Sequence, residues 1–292
     1  MSHVQREKGT YPLVSILLLT YNGQRFISEM LQSLLDQRYS NIEIVVSDDA
    51  STDRTVQIVS NFIQSRPEVS IKLIQNSRNL GIKNNLIKAF CYSSGALLCL
   101  ADQDDVWNSN KVEILVSNFL SSGSHYLISD MDIIDSNSQR LPGSWKNYCL
   151  QQGIPESHFM NGCATMVSRE FLSTCLPIPA GKSHDSWLAI CARTLKTRHF
   201  VDQSLMKYRI SAQGLSSAYH LEYFSTVESL TRITKHKNST VRKSKLRTLI
   251  KSDVPIALIS LKFRMFLHLL LVRLKWLRHR KIRSENPKVE VS

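Results

Sequence analysis

Val14-Ser15-Ile16-Leu17-Leu18-Leu19-Thr20-Tyr21-Asn22 decides how this chain folds. Its first six residues form a short, nearly unbroken apolar run, the pattern of a strand covered on both faces. Helical spacing follows at once, with Ile27, Met30, Leu31, Leu34 and Leu35 recurring every three or four positions over residues 26–37. The same unit then repeats. Ile42-Glu43-Ile44-Val45-Val46-Ser47 reads as a second strand, and residues 52–65, with Val56, Val59, Phe62 and Ile63 on one face, as a second helix. Ile71-Lys72-Leu73-Ile74 reads as a third strand, residues 84–92 as a third helix, and Ala96-Leu97-Leu98-Cys99-Leu100-Ala101 as a fourth strand. Strand–helix repeats of this length need right-handed crossovers, so they predict an α/β fold with a largely parallel central sheet flanked by helices.

Beyond the fourth strand the pattern loosens. Residues 126–130 read as a strand, and residues 139–155, rich in polar and turn types, as a loop. Residues 169–176 and 185–195 read as helices, separated by Pro177-Ile178-Pro179-Ala180-Gly181, because proline and glycine punctuate helices. Residues 199–201 and 205–209 read as two short strands.

The chain has 292 residues, enough for one large domain with an appendage, and its 42% hydrophobic and 21% charged content is that of a globular protein. Its net charge of +13 is not spread evenly. Residues 232–292 hold 17 Lys and Arg against 3 Asp and Glu, while residues 1–231 come to −1. A near-neutral body at 1–231 with a basic tail at 232–292 points to a targeting device; no nucleic-acid partner is expected. The six cysteines form no paired motif and several lie in apolar runs, which fits a reducing compartment and argues against disulfides or a zinc site. The first eight residues lack the apolar core of a signal peptide, and no stretch approaches the roughly 20 apolar residues that span a bilayer.

In open parallel sheets ligands bind beyond the carboxyl ends of the strands. Three strand ends here carry suitable groups. After the fourth strand stand Asp102-Gln103-Asp104-Asp105, whose carboxylates repel one another and call for something cationic. A hard divalent metal carrying a phosphorylated ligand would serve, since such ions take carboxylate oxygens, and residues two apart on an extended segment point the same way. A solvated turn is the equal alternative. After the second strand, Ser51 is suited to cap the next helix and Asp53 to its first turn. That leaves Asp48 and Asp49, of which at least one is expected to accept a hydrogen bond from a pyrimidine ring N–H. After the first strand, Thr20 and Tyr21 fit either capping and core filling or a nucleobase wall. Lys83, behind Gly81, fits either an ordinary turn or a phosphate contact. Asp185 in His184-Asp185-Ser186-Trp187 fits either a helix cap or a general base, and spacing alone does not choose.

Taken in this order, the motifs resemble the family 2 glycosyltransferases with the GT-A, Rossmann-like fold. The matching segments are 14–22, 45–53, Asn79-Leu80-Gly81, Asp102-Gln103-Asp104-Asp105-Val106-Trp107 with Lys111, and His184-Asp185-Ser186-Trp187-Leu188, within residues 13–209. The Asp-Gln-Asp-Asp-Val-Trp and His-Asp-x-Trp forms are similar to bacterial rhamnosyltransferase-like members, which build surface polysaccharides. The resemblance implies a nucleotide-sugar donor and a lipid-linked glycan acceptor. It implies that Thr20, Tyr21, Asp49 and also Asp48 line the nucleoside pocket, that Asp102 approaches the ribose, and that Asp104 holds Mg²⁺ or Mn²⁺ on the diphosphate. Lys83 is then a further diphosphate contact and Asp185 the base of an inverting transfer. The chain departs from the pattern after Tyr208-Arg209, where Ile210-Ser211-Ala212-Gln213-Gly214 replaces a histidine followed by an asparagine. It also lacks a Gln-x-x-Arg-Trp motif, which points to one transfer per encounter.

The tail mixes apolar and basic residues over 254–283, with Lys262 and Arg264 interrupting any spanning helix and Trp276 near its edge. The pattern suits an interfacial helix on an anionic membrane surface, with the enzyme cytoplasmic and peripheral on the inner face; a helix packed on the domain is the alternative. Two other classes compete. A sugar-nucleotide nucleotidyltransferase would show a glycine-rich phosphate loop, whereas residues 19–25 hold one glycine. A non-catalytic carbohydrate- or nucleic-acid-binding protein would use the basic tail.

Overall fold

A computed structural model describes residues 11–210, 270–272 and 274–277. Strands β1 (Val14–Thr20), β2 (Ile42–Asp48), β3 (Ile71–Gln75) and β4 (Leu97–Asp102) alternate with helices α1 (Ile27–Leu35), α2 (Thr55–Gln64) and α3 (Ile82–Cys91). β1 is buried along its whole length, as an apolar run without alternation requires. It pairs in parallel with β2 on one side and β4 on the other. The register sets Thr20 beside Asp48, and Leu19 beside both Ser47 and Asp102. Neighbouring strands lie roughly 4.8 Å apart, so the polar tips of β1, β2 and β4 form one continuous edge. α1 buries Ile27, Met30, Leu31 and Leu34 against this sheet; truncating any one of them to Ala would cost about 2–5 kcal/mol.

The second half completes a nine-stranded sheet in the order β3-β2-β1-β4-β8-β6-β9-β5, with β7 on β6. Its elements are β5 (Val106–Trp107), α4 (Lys111–Ser122), β6 (Tyr126–Ile134), β7 (Arg140–Ser144), α5 (Trp145–Gln151), β8 (Thr165–Ser168), α6 (Arg169–Cys175), α7 (His184–Thr194) and β9 (Arg198–Arg209). β8 runs antiparallel between β4 and β6, whereas β9 runs parallel to β6. The whole is the α/β architecture read from the sequence, parallel in its first four strands and mixed beyond them.

Three local readings need correction, and one strand, β8, is absent from the sequence reading. Residues 139–155 are not a loop but contain β7 and α5. Ser144 caps α5 by accepting from the Asn147 N–H, and Trp145 and Cys149, one turn apart, are its buried face. Residues 199–201 and 205–209 belong to one strand, β9; the polar Asp202-Gln203-Ser204 falls where its register with β6 shifts. β8 has only four residues, too few for a periodic signal. Ser51 does not cap α2, which starts three residues after the expected position. Instead Asp53 accepts from the backbone N–H and hydroxyl of Thr55.

The opposite edge of the sheet is held by Glu43. Its carboxylate accepts from the hydroxyls of Ser15 and Ser94, from the Gly95 N–H and from Lys72. Burial pushes Glu43 upward, but these donors outweigh it and bring the carboxyl down to about 2. In the tail, Val272 and Trp276 are buried. The Trp276 ring packs edge-on against His125 and Phe171 at centroid distances of 4.6 and 6.1 Å. Trp276 is therefore a domain contact, not the lipid-edge residue its sequence position suggests. The rest of the 254–283 reading, and residues 211–214 of the departing loop, lie outside the described residues.

Candidate active site at the strand tips

The tips of β1 and β2 are latched together by side-chain hydrogen bonds. Asp48 accepts from the Thr20 hydroxyl at 2.9 Å and from both the N–H and hydroxyl of Ser51. Ser51 in turn accepts from the Asn22 N–H. Asp49 accepts from the Leu80 and Gly81 N–H groups at 2.7 and 2.9 Å and from the Asn76 amide. Gly81 has φ +79°, a conformation glycine takes without a Cβ clash, and this lets two successive amides face one carboxylate. Both aspartates are buried and already serve protein donors, a structural use the sequence did not reveal. Thr20 is buried as well, whereas the Tyr21 ring is 46% exposed and offers an open face at this edge. Lys83 is held differently from expectation, its ammonium reaching the Pro179 carbonyl at 3.4 Å across to the segment before α7.

The acidic turn after β4 is clamped on two sides. Gln103 exchanges hydrogen bonds with the Tyr21 backbone, accepting its N–H at 2.8 Å and donating to its carbonyl at 2.9 Å. Asp105 accepts the Arg209 N–H at 3.0 Å, tying the turn to the end of β9. Asp102 and Asp104 are half-buried and Asp105 is buried. Burial, then the charges of Asp104 and Asp185, push the Asp102 carboxyl up to about 7. Asp105 is pushed well above the usual carboxylate range by burial and by the charges of Asp104 and Asp102. Asp104 is also raised by burial, although the Arg209 charge draws it back. Asp185 sits in the first turn of α7, so residues from opposite halves of the chain act on one carboxylate. Asp102 and Asp104 thus share one turn, with the charge of Asp185 acting on Asp102 and the Asp48 and Thr20 tips on the same sheet edge.

Two buried cations adjoin this turn. Lys111 donates to the Cys163 carbonyl at 2.6 Å and lies 3.7 Å from the Trp107 ring centroid; burial lowers its ammonium to about 8. Arg209 is wholly buried. Part of the positive charge that three crowded aspartates call for is therefore the protein's own. Ligand atoms of Asp102, Asp105 and Cys163 lie within 4.8 Å of one another. Burial and these carboxylates push the Cys163 thiol well up, and two of the three donors on offer are carboxylate oxygens. That set suits a hard divalent cation such as Mg²⁺ or Mn²⁺ better than a thiolate-seeking metal.

Sequence reasoning missed Asn161, Gly162 and Cys163. A 3₁₀ turn at Gly162–Ala164 packs against β4. Asn161 accepts from the Cys163 N–H and thiol. Gly162 faces His184, the buried residue before Asp185. The Asn161-Gly162 pair reads in sequence as a turn and nothing more. Arg209 was visible only as half of a Tyr208-Arg209 motif, without a role.

Comparison with known proteins agrees with this geometry. Residues 15–176 match the model of the family described as glycosyl transferase family 2. Among similar proteins, WfgD of Escherichia coli is 31% identical over 211 residues, covering 70% of this chain and 80% of that protein. It is described as a UDP-Glc:alpha-D-GlcNAc-diphosphoundecaprenol beta-1,3-glucosyltransferase. RfbG of Shigella flexneri, a dTDP-rhamnosyl transferase, is 35% identical over 99 residues, a third of each chain (33% and 34%). Among solved structures, Staphylococcus aureus TarS 1-349 in complex with UDP-GlcNAc has a TM-score of 0.57 at 21% identity, covering 70% of this chain and 60% of that one. The mannosyltransferase PcManGT of Pyrobaculum calidifontis, in complex with GDP-Man and Mn²⁺, has a TM-score of 0.58 at 15% identity, covering 91% and 87%. These likenesses establish the GT-A fold.

Proposed function

This chain belongs to glycosyl transferase family 2, and on that footing we propose that it transfers a sugar from a pyrimidine nucleoside diphosphate to a hydroxyl of a lipid-linked glycan. The observation that carries the reading is the Gly162-Cys163 turn, which joins the acidic turn to the start of α7: Cys163 lies with Asp102 and Asp105, and Gly162 lies against His184, the neighbour of Asp185. A cleft with carboxylates from a strand tip and from a helix start can hold a diphosphate through a cation on one side and a proton acceptor on the other.

The nucleoside lies along the β1–β2 edge, against the exposed Tyr21 ring. Thr20, Asp48 and Asp49 shape that edge from behind, and the lone-pair capacity left on the two carboxylates is what a ring N–H would use. A carboxylate can accept about four hydrogen bonds, and each has three protein donors. Asp102 faces the ribose, and Lys83, if freed from Pro179, faces the diphosphate. Asp104 would hold Mg²⁺ or Mn²⁺ beside the Asp102, Asp105 and Cys163 group, of which it is not itself a member; the ion would supply charge neutralisation on a departing diphosphate. Asp185 accepts the proton of the acceptor hydroxyl as that oxygen attacks the anomeric carbon from the side opposite the nucleotide. One C–O bond forms as the other breaks, the proton ends on Asp185, and the configuration inverts.

The relatives divide over the sugar. WfgD is named for UDP-Glc and RfbG for dTDP-rhamnose. Both nucleotides are pyrimidines, which is the common part this site would read; the sugar, glucose or rhamnose, is left to the test. The name of WfgD also carries a diphosphoundecaprenol acceptor. That motivates a cytoplasmic enzyme lying peripherally on the membrane, touching anionic lipid through its basic tail. Among the described residues no helix is long and apolar enough to cross a membrane. With Val272 and Trp276 turned to the domain, Leu270, Leu271, Leu274 and Leu277 are 41–54% exposed on the other side, a face suited to the headgroup boundary.

The test is a panel of UDP-Glc, dTDP-rhamnose and GDP-Man, with and without Mn²⁺, read first by thermal stabilisation and then by transfer to a polyprenyl-diphosphate-linked sugar. Stabilisation and transfer with a pyrimidine donor are expected. Selective stabilisation and transfer by GDP-Man, or no ligand effect at all, would overturn the reading.

A further inference from the structure

Arg209 closes β9, and its side chain is wholly buried although it carries a charge. Such burial is tolerated only when the donors are satisfied. The Nε–H donates to the Asp104 carbonyl at 2.7 Å. One terminal nitrogen donates to the Asp135 carbonyl and the Ser138 hydroxyl, at 3.1 and 2.9 Å. The other donates to the Glu29 carboxylate of α1 at 2.7 Å. The Phe26 ring lies beneath, its centroid 4.3 Å from the guanidinium carbon. The backbone N–H of the same residue donates to Asp105.

One side chain therefore spans α1, the 135–138 turn and the acidic turn. Its grip on Asp104 is on the carbonyl and not the carboxylate. That contact restricts the rotation of Asp104 about its Cα–C bond, and with it the direction of the Cα–Cβ bond. The carboxylate is thus not taken up by the arginine's hydrogen bonds. A lysine could not copy this arrangement, because an ammonium is a point donor and the contacts here need a planar fork.

We propose that Arg209 is a positioning residue of the acidic turn: through the Asp104 carbonyl it aims the Asp104 carboxylate at a cation-bridged nucleoside diphosphate. This rests on the reading of Asp104 as a cation ligand. The competing possibility is a strut that only supports the fold. The two differ in what they do to nucleotide affinity. An aiming role touches only the part of the affinity that the cation supplies; a strut touches all of it.

Calorimetric titration of UDP, dTDP and GDP, each with and without Mn²⁺, separates them when run on the full chain, Arg209→Lys and Glu29→Gln, with thermal midpoints alongside. Misaiming a ligand through its supporting contact costs about 10–100-fold in metal affinity. In the parent chain Mn²⁺ should strengthen at least one nucleotide. Arg209→Lys should lose roughly tenfold or more of that strengthening and keep its metal-free affinity. Glu29→Gln, whose carboxylate is half-exposed and whose loss leaves Arg209 in place, should lose about two- to threefold in the same quantity, the worth of a partly exposed ion pair. Full Mn²⁺ strengthening in both variants would overturn the inference alone. So would an equal loss with and without Mn²⁺. Absence of Mn²⁺ strengthening in the parent chain would overturn the reading of Asp104 beneath it. If Arg209→Lys does not fold, Glu29→Gln decides by the same criteria.

Discussion

Gly162 lies so close to His184 that a Cβ on it would stand 2.7 Å from the imidazole Nε2. His184 is buried, begins α7 and directly precedes Asp185, so this contact fixes where the first turn of α7 can sit. Gly162→Ala should push the ring, and Asp185 with it, away from the cleft. Displacements near 1 Å cost about 10²-fold in rate, so kcat should fall by roughly that factor while nucleotide affinity changes little. Steady-state kinetics beside a binding titration checks this; unchanged kcat in a folded variant would remove the positioning role of Gly162.

Glu43 gives the fold an acid limit. Its carboxyl is lowered from 4.5 to about 2 by its donors acting against burial. A carboxylate lowered in the native state contributes stability that is present above its unfolded value and lost as pH falls through the folded one. Thermal midpoints should therefore decline between about pH 4.5 and 2. In Glu43→Gln the midpoint should be lower at pH 7 and the decline flatter. Parallel pH profiles for the two proteins would contradict this.

Asp102 should behave in the opposite sense. Its carboxyl is raised from 3.8 to about 7 by burial and by Asp104 and Asp185. Its contribution to stability is complete below the unfolded value and is lost as pH rises through about 7. Without nucleotide, Asp102→Asn should melt higher than the parent at pH 8. After discounting for its partial exposure, the gain is on the order of 1 kcal/mol, roughly 2–4 °C. The advantage should shrink towards pH 4. A lower midpoint for the variant at pH 8 would show that Asp102 is a net stabiliser.

The exposed leucines of the tail should govern membrane contact. Leu270, Leu271, Leu274 and Leu277 do not support the buried contact made by Val272 and Trp276. Changing the four to Ser should release the protein from vesicles containing anionic lipid in a flotation assay, with its thermal midpoint within a few degrees of the parent. Full flotation of the variant would place any membrane contact elsewhere.

The sheet was legible because its strands carry their own signal. Val14 to Leu19 is apolar without alternation, and burial on both faces is the only economical use of such a run. The strand tips were legible because Thr20, Asp48 and Asp102 end those runs on the same side. What stayed hidden depends on contacts across the chain. Nothing local in Ser51 says that it will serve Asp48 and not a helix. Nothing in Gly162 says that an imidazole will lie against it. β8 is too short to show a period, and α5 is anchored by only Trp145 and Cys149 in a polar stretch. Arg209 reads as an ordinary basic residue at a strand end until five donor contacts from one residue are seen together.

The claim at the centre is that Asp185 accepts the acceptor proton while the rest of the cleft binds the donor. Asp185→Asn keeps the shape and removes the base. General-base catalysis contributes about 10²–10⁴-fold. Transfer by this variant, measured in single turnover with a saturating donor from the panel, should fall by at least that range, with nucleotide affinity within twofold of the parent. Transfer at near-parental rate would contradict the account.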